Sequence, residues 1–260
     1  MFSGGVGSWA TAKRVAAEHG TEDLVLLFAD TKMEDEDLYR FVREAAVDVG
    51  GRWVTVTEGR DPWEVFFDER FLGNTRIDPC SKILKRLPLR RWIKTNCDPT
   101  DTVVYLGISW DEAHRFEAAQ KYWDPWVTAS PLLQAPYLTK TDHMNALAEA
   151  GITPPQLYTL GFPHNNCGGF CIKAGQAQFK LLYETMPDRY QFHEIREEQL
   201  RQHLGADVAI LRDRTGGATK PMTLRTFRER LETGAGQCDM FEWGGCGCFT
   251  PLEYPEGDQS

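Results

Sequence analysis

Two short stretches carry the residue types that chemistry needs. Residues 3–8 read Ser-Gly-Gly-Val-Gly-Ser, and residues 165–171 read Asn-Asn-Cys-Gly-Gly-Phe-Cys. Glycines let several backbone N–H groups point into one concavity, and a helix starting behind them adds its positive end. The first stretch therefore suits an anion such as phosphate, with the Ser3 and Ser8 hydroxyls as further donors. In the second, Cys167 and Cys171 stand one turn apart if the chain from Gly169 onward is helical, so their sulfurs can face one ion. Thiolates so spaced, joined by distant cysteines, ligate zinc or an iron–sulfur cluster equally well. A third stretch is electrostatic. Lys82, Lys85, Arg86, Arg90, Arg91 and Lys94 place six positive charges within 13 residues with no acid among them. That row reads either as a solvated helix face or as a platform for nucleotide or polynucleotide phosphates.

The elements that must position these residues follow an alternating grammar. Residues 9–19 have helical spacing and stop at Gly20, and Leu24–Phe28 is an apolar run of the kind that forms a strand covered on both faces. Asp35–Val49 is again helical and closes at Gly50-Gly51. Trp53–Val56 and Thr102–Leu106 are further strands. Strands alternating with helices predict a parallel sheet with helices on both faces, which binds ligands at the carboxyl ends of its strands. Asp111, Glu112 and Arg115 fall just after the third strand, where an acid can hold magnesium and an arginine can neutralise phosphate. Trp110, Trp123 and Trp126 are candidates either for stacking a base or for the core. Past residue 130 the chain is Pro-punctuated, with helical patterns at Asp142–Ala150, Ala177–Met186, Glu194–His203 and Leu224–Leu231. A hairpin is predicted around Asp213–Gly217, and the tail is rich in glycine and cysteine.

Three kinds of phosphate loop compete for residues 3–8. The Walker form fails because no lysine follows the glycines. The dinucleotide fingerprint fits Gly5-x-Gly7-x-x-Ala10, with Asp30 about 20 residues on as the ribose acid. The third is the pyrophosphate loop of the adenine nucleotide alpha-hydrolase-like (PP-loop) superfamily, whose Ser-Gly-Gly-x-x-Ser signature SGGVGS resembles. Further matches come in order. LFADT at 27–31 looks like the strand end that holds adenosine in the PAPS reductase-like branch. CSKILKRLPL at 80–89 is similar to its Cys-x-x-x-Leu-Lys-x-x-Pro-Leu segment, and GISWDEAHR at 107–115 resembles the Gly-Ile/Leu-x-x-x-Glu-x-x-Arg segment.

The resemblance spans about residues 1–135 and implies a Rossmann-like parallel sheet. A PP-loop domain is thus expected over 1–135, with a mixed, cysteine-containing region over 136–260 packed on it. It implies that ATP or a related adenylyl nucleotide is held by Ser3, Gly4, Gly5, Val6, Gly7, Ser8, Asp30, Thr31 and Gly107, with phosphates or nucleic acid at Lys82, Lys85 and Arg86. Mg2+ would join the nucleotide, and Asp111, Glu112 and Arg115 would be catalytic. It also makes Cys80 the third ligand of a [4Fe-4S] cluster or Zn2+ centre beside Cys167 and Cys171, with Cys248 or Cys246 the candidate fourth and His164 a weaker one. The chemistry implied is adenylation of an acceptor, a nucleic-acid base or backbone being one candidate, followed by sulfur transfer. The alternatives are a reductase of adenylylated sulfate (APS or PAPS) and a nucleotide-sensing module with structural zinc. Two departures stand out. Gly7 replaces the usual loop aspartate, and the tail reads GGCGCF in place of Glu-Cys-Gly-x-His. The strand that normally precedes such a loop is represented by Met1 and Phe2 alone, so a start upstream of Met1 is expected.

Composition sets the outer bounds. The chain of 260 residues, 42% hydrophobic, can bury a full core, and its net charge of -9 argues against a surface coated in nucleic acid. Seven cysteines without an export signal point to metal or redox work in the cytoplasm. No membrane partner is expected; a sulfur-donor protein and a second copy of the chain remain candidate partners.

Overall fold

A computed structural model describes residues 1–73, 77–214, 218–234 and 243–244. Helix α1 (Val6–His19) leads to β1 (Val25–Asp30), α2 (Glu36–Val49), β2 (Arg52–Thr57) and α3 (Pro62–Asp68). A π-helical stretch, Ser81–Arg86, runs directly into α4 (Leu87–Asn96) and is followed by β3 (Val103–Tyr105). A 3-10 turn, Trp110–Arg115, runs into α5 (Phe116–Trp123), followed by β4 (Val127–Ala129), α6 (Lys140–Glu149) and α7 (Gln156–Thr159). The chain closes with α8 (Gln176–Thr185), α9 (Pro187–Leu204), β5 (Leu211–Asp213), β6 (Lys220–Met222) and α10 (Leu224–Thr233).

Local chemistry sets most of these limits. The Asp35 side chain accepts from the Asp37 amide to start α2, and Gly50 ends it in the left-handed conformation. Asp61 and Glu64 form a reciprocal capping box ahead of α3, with Pro62 in its first turn. Helix α9 begins at Pro187, earlier than the expected Glu194, because proline is pre-set for a first helical turn and Tyr190 and His193 on that added length are buried.

The fold is mixed α/β. β1 pairs with β2 in parallel, Val25 opposite Arg52, and β3 pairs with β4 in parallel, Val103 opposite Val127. β5 and β6 form the expected antiparallel hairpin, its turn at 215–217 lying outside the described residues. Alternation along β1 gives the strand two apolar faces. Leu26 and Phe28 pack with Trp9, Phe41 and Val42 from α1 and α2, whereas Leu27 and Ala29 pack with Leu89 and Ile93 of α4 and Trp123 of α5. Helices thus cover both sides of the β1 strand. A third cluster joins Trp63, Phe66 and Leu72 to Phe170, Phe179, Leu200 and Phe227, so it draws on both sides of residue 135. Trp123 and Trp126 are core residues, 0% and 7% exposed, whereas Trp110 lies at the surface. Among the described residues no helix is long and apolar enough to cross a membrane.

Candidate functional site

The glycine loop lies at the carboxyl end of β1 and opens α1. Gly4 takes φ +78°, and a Cβ there would meet Leu38 Cγ at 2.9 Å, so only glycine fits without strain. Gly5 is extended and its carbonyl accepts from the Ser8 amide (3.1 Å) and hydroxyl (2.7 Å). Ser8 therefore closes the first turn of the helix. The loop is braced from two sides. On one, Gly107 packs so tightly that a Cβ would stand 3.1 Å from the Ser8 amide nitrogen. On the other, the Val6 amide donates to the Tyr158 hydroxyl (3.4 Å) and Asn165 Nδ2 donates to the Gly4 carbonyl (2.8 Å). The amides of Gly4, Gly5 and Gly7 have no acceptor among the described residues. Unpaired amides at the start of a 14-residue helix are suited to negative charge.

A second site adjoins it. Cys80, Cys167 and Cys171 line one cavity together with Thr31, Asp78, Lys85 and Lys173. Each arrives by a different device. Cys80 precedes the π-helical stretch, where the Leu87 amide reaches back to the Lys82 carbonyl, and both Lys85 and Arg86 are buried there. Lys85 Nζ lies 3.2 Å from the Glu34 carboxylate and 3.9 Å from Cys167 Sγ. Glu34 also accepts from the Thr31 hydroxyl (3.0 Å) and the Cys167 amide (2.5 Å), so it ties the end of β1 to the cysteine loop. Asp78 takes Arg86 at 3.6 Å and Lys173 at 3.5 Å.

The Cys167–Cys171 segment is not the helical turn its spacing predicts. Cys167, Gly168 and Gly169 have φ of +50°, +58° and +84°, and Phe170 is extended. The run of left-handed residues turns the chain inside out locally, at a cost glycine avoids and Cys167 bears. It also lets Arg189 reach the Gly168 carbonyl (2.7 Å) while pairing with Asp35 (3.0 Å). Both cysteines still line the shared cavity.

The donor types suit a thiolate-held centre, since soft sulfur ligands beside the Lys85 and Lys173 ammonium groups have their charge offset. Among the described residues, no group of three or more His, Cys, Asp or Glu side chains is arranged to hold a metal ion. Cys238, Cys246 and Cys248, including both candidates for the fourth ligand, lie outside the described residues. His164 lies within reach of the charges of Lys85 and Lys140. Burial, with the charges of Lys85 and Lys140, pushes its pKa down to about 4, so its imidazole is neutral at pH 7 and its Nδ1 is buried without a partner. Lys140 caps this corner, 4.0 Å over the Tyr158 ring and donating to the Pro163 carbonyl at 2.8 Å. Burial lowers its pKa.

The remaining predicted residues scatter by distance from this corner. Asp30 accepts from the Tyr39 hydroxyl (2.7 Å) and the Lys32 amide (2.9 Å), while Thr31 is 1% exposed. Asp111 accepts from the Ser109 hydroxyl and Glu112 pairs with Arg115, all on the 3-10 turn after Gly107. The six-charge row is not one face. Lys85 and Arg86 are buried in ion pairs, and Arg90 donates to the Asp124 carbonyl (2.9 Å) and lies over Tyr122 and Trp126. Lys82, Arg91 and Lys94 alone stay exposed. The cause is the π-helical stretch, which turns consecutive residues inward, and the buried carboxylates that meet them. Glu34, Asp78, Tyr158, Asn165 and Lys173 belong to the site and carry no motif of their own. The acid in Asp30-Thr-Lys-Met-Glu34 was a visible signal, but nothing in the chain tied it to Lys85.

No protein-family model matches the chain, and no curated protein matches it.

Proposed function

We propose that the protein binds ATP or a related adenylyl nucleotide over Ser3–Ser8 and transfers its adenylyl group to an acceptor beside a cysteine-ligated centre, in the manner of PAPS reductase-like PP-loop enzymes. A Rossmann-like sheet, completed around the two parallel strand pairs, is the architecture this reading requires. The observation that carries it is the set of amides of Gly4, Gly5 and Gly7 at the head of α1 without an acceptor among the described residues, together with a cavity that three cysteines help to line.

In this reading the loop amides hold the β- and γ-phosphates, and the positive end of α1 offsets their charge. Asp111 or Glu112 would hold Mg2+, which would offset phosphate charge, and Arg115 would exchange Glu112 for phosphate when nucleotide enters. An acceptor oxygen attacks the α-phosphorus, pyrophosphate departs, and the adenylylated oxygen becomes a leaving group for a sulfur nucleophile. Cys80, Cys167 and Cys171, with Cys248 or Cys246, would hold a [4Fe-4S] cluster or Zn2+, which supplies a Lewis-acidic or sulfur-activating centre. Glu34 and Lys85 set the position of Cys167, while the neutral His164 can accept a proton at Nδ1. Of Lys82, Lys85 and Arg86, Lys82 is the exposed one and would meet a nucleic-acid acceptor at the surface.

A second reading rests on Gly7. It puts no acid in the loop, and a Cβ there would meet only ordinary contacts at 3.6 and 3.9 Å, so the missing carboxylate is not a matter of space. That favours nucleotide sensing without cleavage, around a structural zinc.

Equilibrium binding of ATP separates these ideas from a plain turn. Gly5→Asp sets a carboxylate among the amides and should weaken ATP binding at least about tenfold, or about 1.4 kcal/mol. A change below about twofold in a folded variant would refute the phosphate loop. Pyrophosphate release selects adenylyl transfer over sensing and over reduction of an adenylylated sulfate. Metal analysis of anaerobically purified protein, with absorbance near 400 nm for an iron–sulfur centre, tests the thiols. Protein with neither iron nor zinc removes them from the proposal.

A further inference from the structure

The fold separates the three candidate tryptophans. Trp123 and Trp126 are core residues, whereas Trp110 keeps 44% of its surface exposed, and beside it stands Tyr137, 63% exposed. Their ring centroids lie 6.4 Å apart with the planes at 68°. That angle makes a corner, one ring as floor and the other as wall, and the spacing is too narrow for a third ring to slide between them. A flat aromatic ligand fits on the outer face of one ring, with its edge against the other.

Both rings are held by groups that bury neither. The Trp110 indole N–H donates to the Leu138 carbonyl (3.1 Å), so its polar atom is satisfied and its face is what it presents. The segment leading to Tyr137 is pinned by Arg14, whose guanidinium donates to the carbonyls of Pro131 (2.8 Å), Gln134 (3.1 Å) and Pro136 (2.6 Å). Arg14 lies on α1, the helix that the glycine loop opens. The Ser130 hydroxyl ties the two chain segments together, accepting from the Ile108 amide (3.2 Å) and donating to the Leu106 carbonyl (2.7 Å). The same segments touch the loop, since a Cβ on Gly7 would lie 3.6 Å from the Gly107 carbonyl and 3.9 Å from Leu132. The aromatic corner is therefore fixed to the glycine loop by the chain that leaves β3 and β4. Exposed rings already ordered in this way lose little freedom when a ligand settles on them.

Chemistry selects the occupant. An open corner covers too little of a free nucleoside to hold it, because small-molecule sites enclose most of their ligand. A duplex hides the faces of its bases within the stack, so only an unpaired base can offer one. A net charge of -9 and a basic row whose Lys85 and Arg86 are buried argue against a grip on many phosphates. One cation follows in the chain. Lys140, three residues past Tyr137, pairs with no carboxylate among the described residues; its ammonium lies over the Tyr158 ring and donates to the Pro163 carbonyl. We propose that Trp110 and Tyr137 form a stacking corner for one unpaired base of a single-stranded nucleic acid, with Lys140 meeting a phosphate beside it. The strand's role as acceptor rests on the adenylyl-transfer reading, whereas the stacking stands without it.

The test measures equilibrium binding of labelled DNA and RNA single strands of about 12 nucleotides, mixed in sequence, at low salt, with duplex, free nucleosides and ATP as further ligands. The better-bound strand should bind at least about tenfold tighter than its duplex. Trp110→Ala should weaken that binding about tenfold, Tyr137→Ala about fivefold, and Trp110→Phe should keep most of it. Affinity should fall with salt at a logarithmic slope of about -0.7, the value for one phosphate. ATP binding and the melting temperature should stay unchanged in all three variants, because both rings are exposed and lie outside the loop. Equal strand binding by the parent and both alanine variants overturns the proposal, as does duplex held as tightly as single strand. Loss of ATP binding in Trp110→Ala would give the corner to the nucleotide's own adenine and overturn it too. Free nucleosides competing as strongly as the strand would make the corner a small-molecule site, with the same result. A chain that fails to bind ATP yet holds the strand through Trp110 refutes the phosphate loop and leaves the corner standing.

Discussion

The glycine loop and the thiol cavity adjoin one another but are built in opposite ways. The loop takes its conformation from six consecutive residues, and distant groups only brace it. The cavity takes Cys80 and Lys85 from the start and length of the π-helical stretch and Cys167 and Cys171 from a left-handed turn, and Glu34 beyond β1 ties the two together by bonding both Lys85 and the Cys167 amide. Local sites tolerate single changes because each residue's conformation is mostly its own affair. Assembled sites concentrate risk in the few charges that hold their pieces together.

The sharpest test of that contrast is Lys85→Met. It strands the 2%-exposed Glu34 carboxylate without its ammonium partner and should cost about 3–5 kcal/mol in urea unfolding. A loss under about 1 kcal/mol would show that the cavity is not held by this pair. Next comes Glu197 on α9, the helix whose Arg189 clasps the cysteine turn. Burial raises its pKa to about 7 from 4.5, against the pull of the Ile210 and Leu224 amides that it accepts. A raised folded pKa means the folded protein keeps a proton that the unfolded chain releases. Stability should therefore fall as pH rises from about 4.5 to 7, by up to about 3 kcal/mol, and Glu197→Gln should flatten that slope. Unfolding at pH 4.5, 6 and 7.5 measures it, and identical slopes would discount the carboxylate.

Loop substitutions should be milder. Gly4→Ala adds a Cβ at positive φ against Leu38 and should cost about 1–2 kcal/mol. Gly7→Ala meets only ordinary contacts and improves helix propensity, so stability should move by less than about 0.5 kcal/mol. If Gly7→Ala proved as damaging as Lys85→Met, the distinction between a local and an assembled site would fail.

Legibility followed the same division. The apolar run at β1, the stop at Gly50 and the glycine turn ahead of α1 are properties of short windows, and the helix and strand patterns along the chain lie close to the observed elements. What pattern reading missed has identifiable causes. β4 is three residues long, too short for a period to register. The π-helical stretch reads as ordinary helix because its composition is helical; its extra residue per turn shows only once Lys85 and Arg86 are found buried side by side. Cys167 to Cys171 has helical spacing, but two glycines and a waiting Arg189 make the left-handed turn the better-bonded conformation.

From its residues alone this chain determined alternating strands and helices, a glycine turn at the head of the first helix, and a concentration of cysteines. Tertiary structure alone decided that the basic row would be split, two of its charges being drawn inward by Glu34 and Asp78, and that three cysteines from remote segments would share one cavity. The reason is range: backbone preference acts over a few residues, whereas a buried charge must find its counter-charge wherever the folded chain brings one.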